Sequence, residues 1–119
     1  MAEIMVLDDV SDAGMLVKRI LERKGHSVSV FTEEEDALRH AAANDVELAI
    51  LDIKLKKMTG VEVLDELKKL RPKMKAIMLT GYPTLETARE ALRLGAQEYC
   101  VKPINKDELE TKVAEVIGE

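Results

Sequence analysis

Short apolar runs alternate with longer stretches of helical period five times along this chain, and that alternation restricts the fold more than any other feature. Residues 4–7 (IMVL), 46–51 (VELAIL) and 76–79 (AIML) read as strands covered on both faces, since a strand with one wet face would alternate apolar and polar residues. Residues 28–31 and 99–101 are less apolar strand candidates. Between them, Ala13, Leu16, Val17, Ile20 and Leu21 share one helical face, with Gly25 as a stop. Thr32 with Glu35 has the spacing of a capping box for a second helix carrying Ala37, Leu38, Ala41 and Ala42. Val63, Leu64, Leu67 and Leu70 mark a third, halted by Pro72. Leu85, Ala88, Ala91 and Leu92 mark a fourth, followed by Gly95. Asn105 with Glu108 caps a fifth bearing Leu109, Val113, Val116 and Ile117. Strict alternation of this kind calls for an α/β fold, a parallel sheet with helices on both faces.

The length, 119 residues, is that of one domain, expected to span 1–119. Hydrophobic residues make up 46% and aromatics only 3%, so the core must be built from Leu, Val, Ile, Ala and Met. A net charge of −5 offers no basic footprint for nucleic acid. No run is long enough to span a membrane and no leader pattern is visible. The single cysteine, Cys100, excludes an internal disulfide and reads as a small core hydrophobe. The expected location is the cytoplasm.

Ligands of an open parallel sheet bind beyond the carboxyl ends of its strands. Asp8 and Asp9 follow the first strand, Asp52 the third, Thr80 and Gly81 the fourth, and Lys102 and Pro103 the fifth. Ionising two adjacent carboxylates at the end of an apolar run is unfavourable unless positive charge sits beside them. Three acids at one edge suit a hard divalent cation such as Mg2+, with Mn2+ a substitute. A carboxylate beside that cation is also a nucleophile toward phosphorus, forming an aspartyl phosphate. The charge of the transition state would be met by the cation, the Lys102 ammonium, and the Thr80 hydroxyl with the Gly81 amide. Singly, each residue has a plainer explanation: helix capping for Asp8 and Asp9, a turn for Asp52 and Thr80-Gly81, a solvated surface lysine for Lys102. Their joint placement at strand ends outweighs those.

This ordered set, DD, D, T and KP at the ends of strands one, three, four and five, resembles the receiver domain of two-component response regulators across essentially the whole chain. The stretch TGYPTLETAREALRLGAQEYCVKPI is most similar to receivers of sigma-54-dependent transcription activators. The resemblance implies a flavodoxin-like (βα)5 three-layer sandwich with strand order 2-1-3-4-5. It implies that Asp52 accepts a phosphoryl group from a sensor histidine kinase or histidine phosphotransfer protein. Asp8, Asp9, Asp52 and the backbone carbonyl of Lys54 would hold Mg2+, and Lys102 would pair with the phosphoryl oxygens. Thr80 and Tyr99 would be the switch residues that alter the surface of helix four, strand five and helix five. The Lys102-Pro103 peptide would be cis. Such a domain catalyses only its own phosphorylation and dephosphorylation. One departure stands out: the family commonly has proline four residues after the acceptor, and this chain has Lys56, in a loop made basic by Lys54 and Lys57.

Three rival readings fit the residues less well. A haloacid-dehalogenase-type phosphatase wants a second acid two residues past the nucleophile, where this chain has Lys54. A pseudo-receiver that binds partners without phosphorylation would not need the full set of acids, hydroxyl and lysine. A flavodoxin-like electron carrier would need a phosphate-binding loop and aromatics for its flavin. The output partner, and whether the domain stands alone or belongs to a longer chain, stay open, as does a homodimer through helix four, strand five and helix five near Arg89, Glu90 and Arg93. Met15, with Lys18 and Glu22, falls on the outer face of helix one; an exposed Met there is commonly chance, and its functional reading is docking of a phosphodonor helix. Tyr82 is placed to cover the acceptor and slow water attack. His26 and His40 read as surface residues, and the acids 33–36 as a helix first turn opposing the dipole.

Overall fold

The computed structural model describes residues 1–119. Its elements are β1 (Glu3–Leu7), α1 (Ser11–Glu22), β2 (Ser27–Phe31), α2 (Glu34–Ala43), β3 (Leu48–Leu51), α3 (Gly60–Leu70), β4 (Lys75–Thr80), α4 (Leu85–Arg93), β5 (Glu98–Val101) and α5 (Lys106–Ile117). All pairings are parallel, in the order β2-β1-β3-β4-β5, as expected.

The continuous apolar runs are explained by two cores, one on each face of the sheet. Side chains alternate along a strand, so Met5, Leu7, Ala49, Leu51, Ala76 and Met78 face one way. They pack with Ala37 and Ala41 of α2, Val63, Leu64 and Leu67 of α3, and Ala91 of α4. The residues between them, Ile4, Val6, Leu48, Ile50, Ile77 and Leu79, face the other way onto Val17 and Leu21 of α1 and Leu109, Val113 and Val116 of α5. Small side chains, Ala37 and Ala41 of α2 and Ala91 of α4, lie where these helices meet the sheet.

Several local expectations are corrected. The Thr32–Glu35 capping box does not form: α2 begins at Glu34, with Glu33 at the cap position making no side-chain cap. The capping box that does form is Thr59 with Glu62 at the start of α3. Helical period alone overstates the buried face of α4, where Ala91 is buried but Leu85 and Leu92 are exposed. Leu16, Leu70 and Ala42 are likewise exposed. His26 is buried, not at the surface, and its Nδ1 accepts the Ala2 N–H at 3.1 Å. His40 is half-buried, its ring tilted against Phe31.

Candidate functional site

The sheet ladder itself positions the site. Hydrogen bonding runs one residue past the strands: Asp8 N–H donates to the Phe31 carbonyl at 3.1 Å, Asp52 N–H to Leu7 at 3.0 Å, and Lys102 N–H to Thr80 at 2.8 Å. The side chains of Asp8, Asp52 and Lys102 therefore leave a backbone already held by the neighbouring strand.

Asp8, Asp9 and Asp52 can bring carboxylate oxygens within 4.8 Å of one another. Asp8 and Asp52 are each 5% exposed, and Asp9 is half-buried. Lys102 Nζ donates to Asp8 Oδ2 at 2.6 Å and to Asp52 Oδ2 at 2.9 Å. Their remaining oxygens are also satisfied: Asp8 Oδ1 accepts the Val10 N–H at 2.9 Å, and Asp52 Oδ1 accepts the Ile53 N–H at 2.6 Å. Burial works to lower the Lys102 pKa, but the hydrogen bonds to Asp8 and Asp52 and their charges outweigh it and hold the ammonium above its ordinary value. Three converging carboxylates form an all-oxygen donor set of the type a hard divalent cation takes, so the residues present fit Mg2+.

Thr80 is fully buried at the end of β4, and its Oγ1 accepts the Tyr82 N–H at 3.0 Å. Gly81 follows it in the exposed turn. The Lys102-Pro103 peptide is cis. Tyr99 is half-buried on β5, with its hydroxyl 2.8 Å from Thr87 Oγ1 and accepting the Thr84 N–H at 3.4 Å. Its polar end is thus tied to the first turn of α4. Tyr82 is exposed, and the Lys54 ammonium lies over its ring, 4.5 Å from the centroid. Lys56 and Lys57, the other lysines of the basic loop, pair with Glu33 and Glu35.

Two residues escaped the sequence reading. Gly60 opens α3 so close to the acceptor that a Cβ there would lie 1.9 Å from the Asp52 carbonyl oxygen. Its only signal was a Thr-Gly pair ahead of a helical period. Glu34, one of the acids expected in a helix first turn, is 2% exposed and accepts the N–H groups of Lys57 and Met58 in the loop after Asp52. That contact joins residues 23 and 24 positions apart, which no local pattern reveals.

A family model for the response regulator receiver domain matches residues 4–114. The chain belongs to that family. This receiver domain is 36% identical over 109 residues to the nitrogen assimilation regulatory protein NtrX of Azorhizobium caulinodans, covering 90% of this chain and 24% of that protein. It is 29% identical to the transcriptional regulatory protein ZraR of Escherichia coli K12, covering 98% of this chain and 26% of that protein. The chain thus spans about a quarter of the length of these relatives. Among solved structures, a CheY-like receiver domain protein from Methanospirillum hungatei JF-1 superposes with a TM-score of 0.96 at 36% identity, covering 99% of this chain and 94% of the other. A Burkholderia pseudomallei response regulator, solved with a phosphorylated aspartic acid, calcium ion and citrate, gives 0.88 at 30% identity, covering 98% of this chain and 66% of the other. The receiver domain is a signalling switch of two-component systems and not a turnover enzyme. None of the three rival readings finds support.

Proposed function

We propose that this receiver domain, taken as one unit over 1–119, is switched by phosphorylation of Asp52. The observation that carries the reading is Lys102 spanning Asp8 and Asp52 at hydrogen-bond distance, beside a third carboxylate, Asp9. A carboxylate oxygen of Asp52 attacks the phosphorus of a phosphohistidine, the P–N bond breaks, and the imidazole leaves with its electron pair. Asp8, Asp9, Asp52 and the Lys54 carbonyl would hold Mg2+, which supplies positive charge to the transferring group when bound. Lys102 moves from carboxylate to phosphoryl oxygens, and the Thr80 hydroxyl with the Gly81 amide meets another equatorial oxygen. Thr80 then leaves its contact with Tyr82, and Tyr99 leaves Thr87, which changes the α4-β5-α5 surface.

The surfaces support this division of labour. An apolar groove of about 410 Å³ lined by Ala13, Leu16, Val17, Leu79, Pro103 and Ile104 lies beside Lys102. Together with Met15 it suits the helix of a histidine kinase or phosphotransfer protein. On the output side, Leu85, Leu92 and Val101 expose apolar surface around α4 and β5, which suits an effector or a second copy of the chain. Arg93 there is paired with Glu90 at 2.7 Å, while Arg89 is exposed. No helix is long and apolar enough to cross a membrane, and a cytoplasmic location fits this role.

The test is incubation with acetyl phosphate, with and without Mg2+, read by intact mass. One Mg2+-dependent phosphoryl adduct, absent in Asp52→Asn, is expected. No adduct and no beryllofluoride binding would reject the reading.

A further inference from the structure

The phosphoacceptor reading leaves one buried acid unused. Glu34, the first residue of α2, is 2% exposed, yet it lies outside the acidic cluster of the site. A buried carboxylate is unfavourable unless it is hydrogen-bonded. Glu34 Oε2 meets that demand with backbone of another segment, accepting Lys57 N–H at 2.5 Å and Met58 N–H at 2.6 Å. Burial raises the Glu34 pKa, but the amides of Met58, Glu34 itself and Lys57, with the Lys57 charge, outweigh it and hold the group below its ordinary value. The flanking pairs Glu33–Lys56 and Glu35–Lys57 are exposed, so each adds little.

The segment so held runs from the acceptor to α3. Its base is closed by Gly60 N–H donating to the Ile53 carbonyl at 2.8 Å and by a bridge between Lys54 and Thr59. Its far end, at Lys57 and Met58, is fastened to α2 by Glu34. A proline in this loop would restrict its own φ; Lys56, which occupies the position, does not. Glu34 supplies an external restraint in its place.

We propose that Glu34 is a positioning residue for the phosphorylation site: by tying the Lys57 and Met58 amides to α2, it fixes the peptide at Lys54 and thereby sets the affinity of the site for Mg2+. The proposal rests on the phosphoacceptor reading above. Partners behind metal ligands commonly change metal affinity by about 10- to 100-fold, and one step removed from the ligand the lower end applies.

The experiment compares the full chain with Glu34→Met, which keeps the volume but removes the acceptor, and Glu34→Gln, which keeps an acceptor oxygen. Arg71→Ala is the control. It cuts the bonds from Arg71 to the Ala41 and Ala42 carbonyls at the other end of α2, far from the acceptor loop. Mg2+ is titrated without phosphodonor and followed by amide shifts, alongside hydrogen exchange of Lys57 and Met58. Glu34→Met is expected to raise half-saturating Mg2+ about tenfold and speed exchange at both amides, with Glu34→Gln in between. Arg71→Ala leaves Mg2+ binding unchanged. Parental Mg2+ affinity in Glu34→Met, or an equal shift in Arg71→Ala, overturns the proposal. Should Glu34→Met not fold, parental affinity in Glu34→Gln overturns it equally. A parent chain that binds no Mg2+ and takes no phosphoryl group overturns the phosphoacceptor reading itself, and this proposal with it.

Discussion

Lys102 Nζ sits 2.9 Å from Asp52 Oδ2 while also holding Asp8 Oδ2 at 2.6 Å, so one ammonium is the shared counter-charge of two buried carboxylates. Removing one partner of such a group leaves charge buried and unpaired. Lys102→Met is expected to cost about 3 kcal/mol in urea unfolding without divalent cation, the low end because Lys102 is partly exposed. Mg2+ well above its dissociation constant should recover much of that loss by binding only the folded state. Equal loss with and without Mg2+ would show that the three acids hold no cation.

Gly60 has no room for a side chain. A Cβ would press against the backbone of Asp52, which cannot rotate aside. Gly60→Ala is expected to destabilise by about 3 kcal/mol, lowering Tm by roughly 10 °C for a domain of this size. Calorimetry within 2 °C of the parent, on the order of experimental scatter, would mean that α3 shifts freely.

The Lys54 ammonium over the Tyr82 ring joins the loop after Asp52 to the loop after Thr80. An exposed cation–π contact is worth about 0.5–1 kcal/mol, a factor of about 2–5 in rate if it shields the phosphoryl group from water. Tyr82→Ala should shorten the phosphoryl lifetime by that factor, measured as loss of the adduct after desalting. An unchanged lifetime rejects the shielding role.

The Tyr99 hydroxyl is held toward α4 by Thr87. Thr87→Val removes that hydrogen bond, worth about 1 kcal/mol, and should raise the population of the alternative Tyr99 rotamer about fivefold. Ring shifts of labelled Tyr99, before and after beryllofluoride, read this directly. Identical shifts in the variant and the parent would remove Tyr99 from the switch.

Glu34 has its pKa lowered by folding from the ordinary value of 4.5, so the unfolded chain binds a proton that the native chain does not. Its contribution is fully present above that value and is lost as pH falls through the lowered native value. The stability gap between the parent and Glu34→Gln should therefore be constant near neutrality and close progressively below about pH 4.5. A gap that widens in acid would contradict the charged clasp.

Much of the architecture was legible because its physics is local. Runs such as 4–7 and 76–79 can bury both faces only in a sheet covered on both sides, and the helical periods between them supply the cover. The candidate site was legible for a related reason. Asp8, Asp52 and Lys102 each follow a strand directly, and parallel strands end at one edge. The capping signals were ambiguous because Thr32 and Thr59 both precede an acid at the right spacing. Only backbone geometry around Thr59 realised the box.

By itself the sequence determined the element order, the layered α/β class and the residues offered at the strand ends. Those follow from periodicity and turn chemistry, which act over a few residues. Tertiary structure alone decided which apolar residues stay in water, since Leu85 and Leu92 share a helical period with Ala91, yet they are exposed and Ala91 is buried. It also decided the partners of Glu34 and the closeness of Gly60 to Asp52, because contacts between separate elements depend on how helices pack, which no single segment encodes.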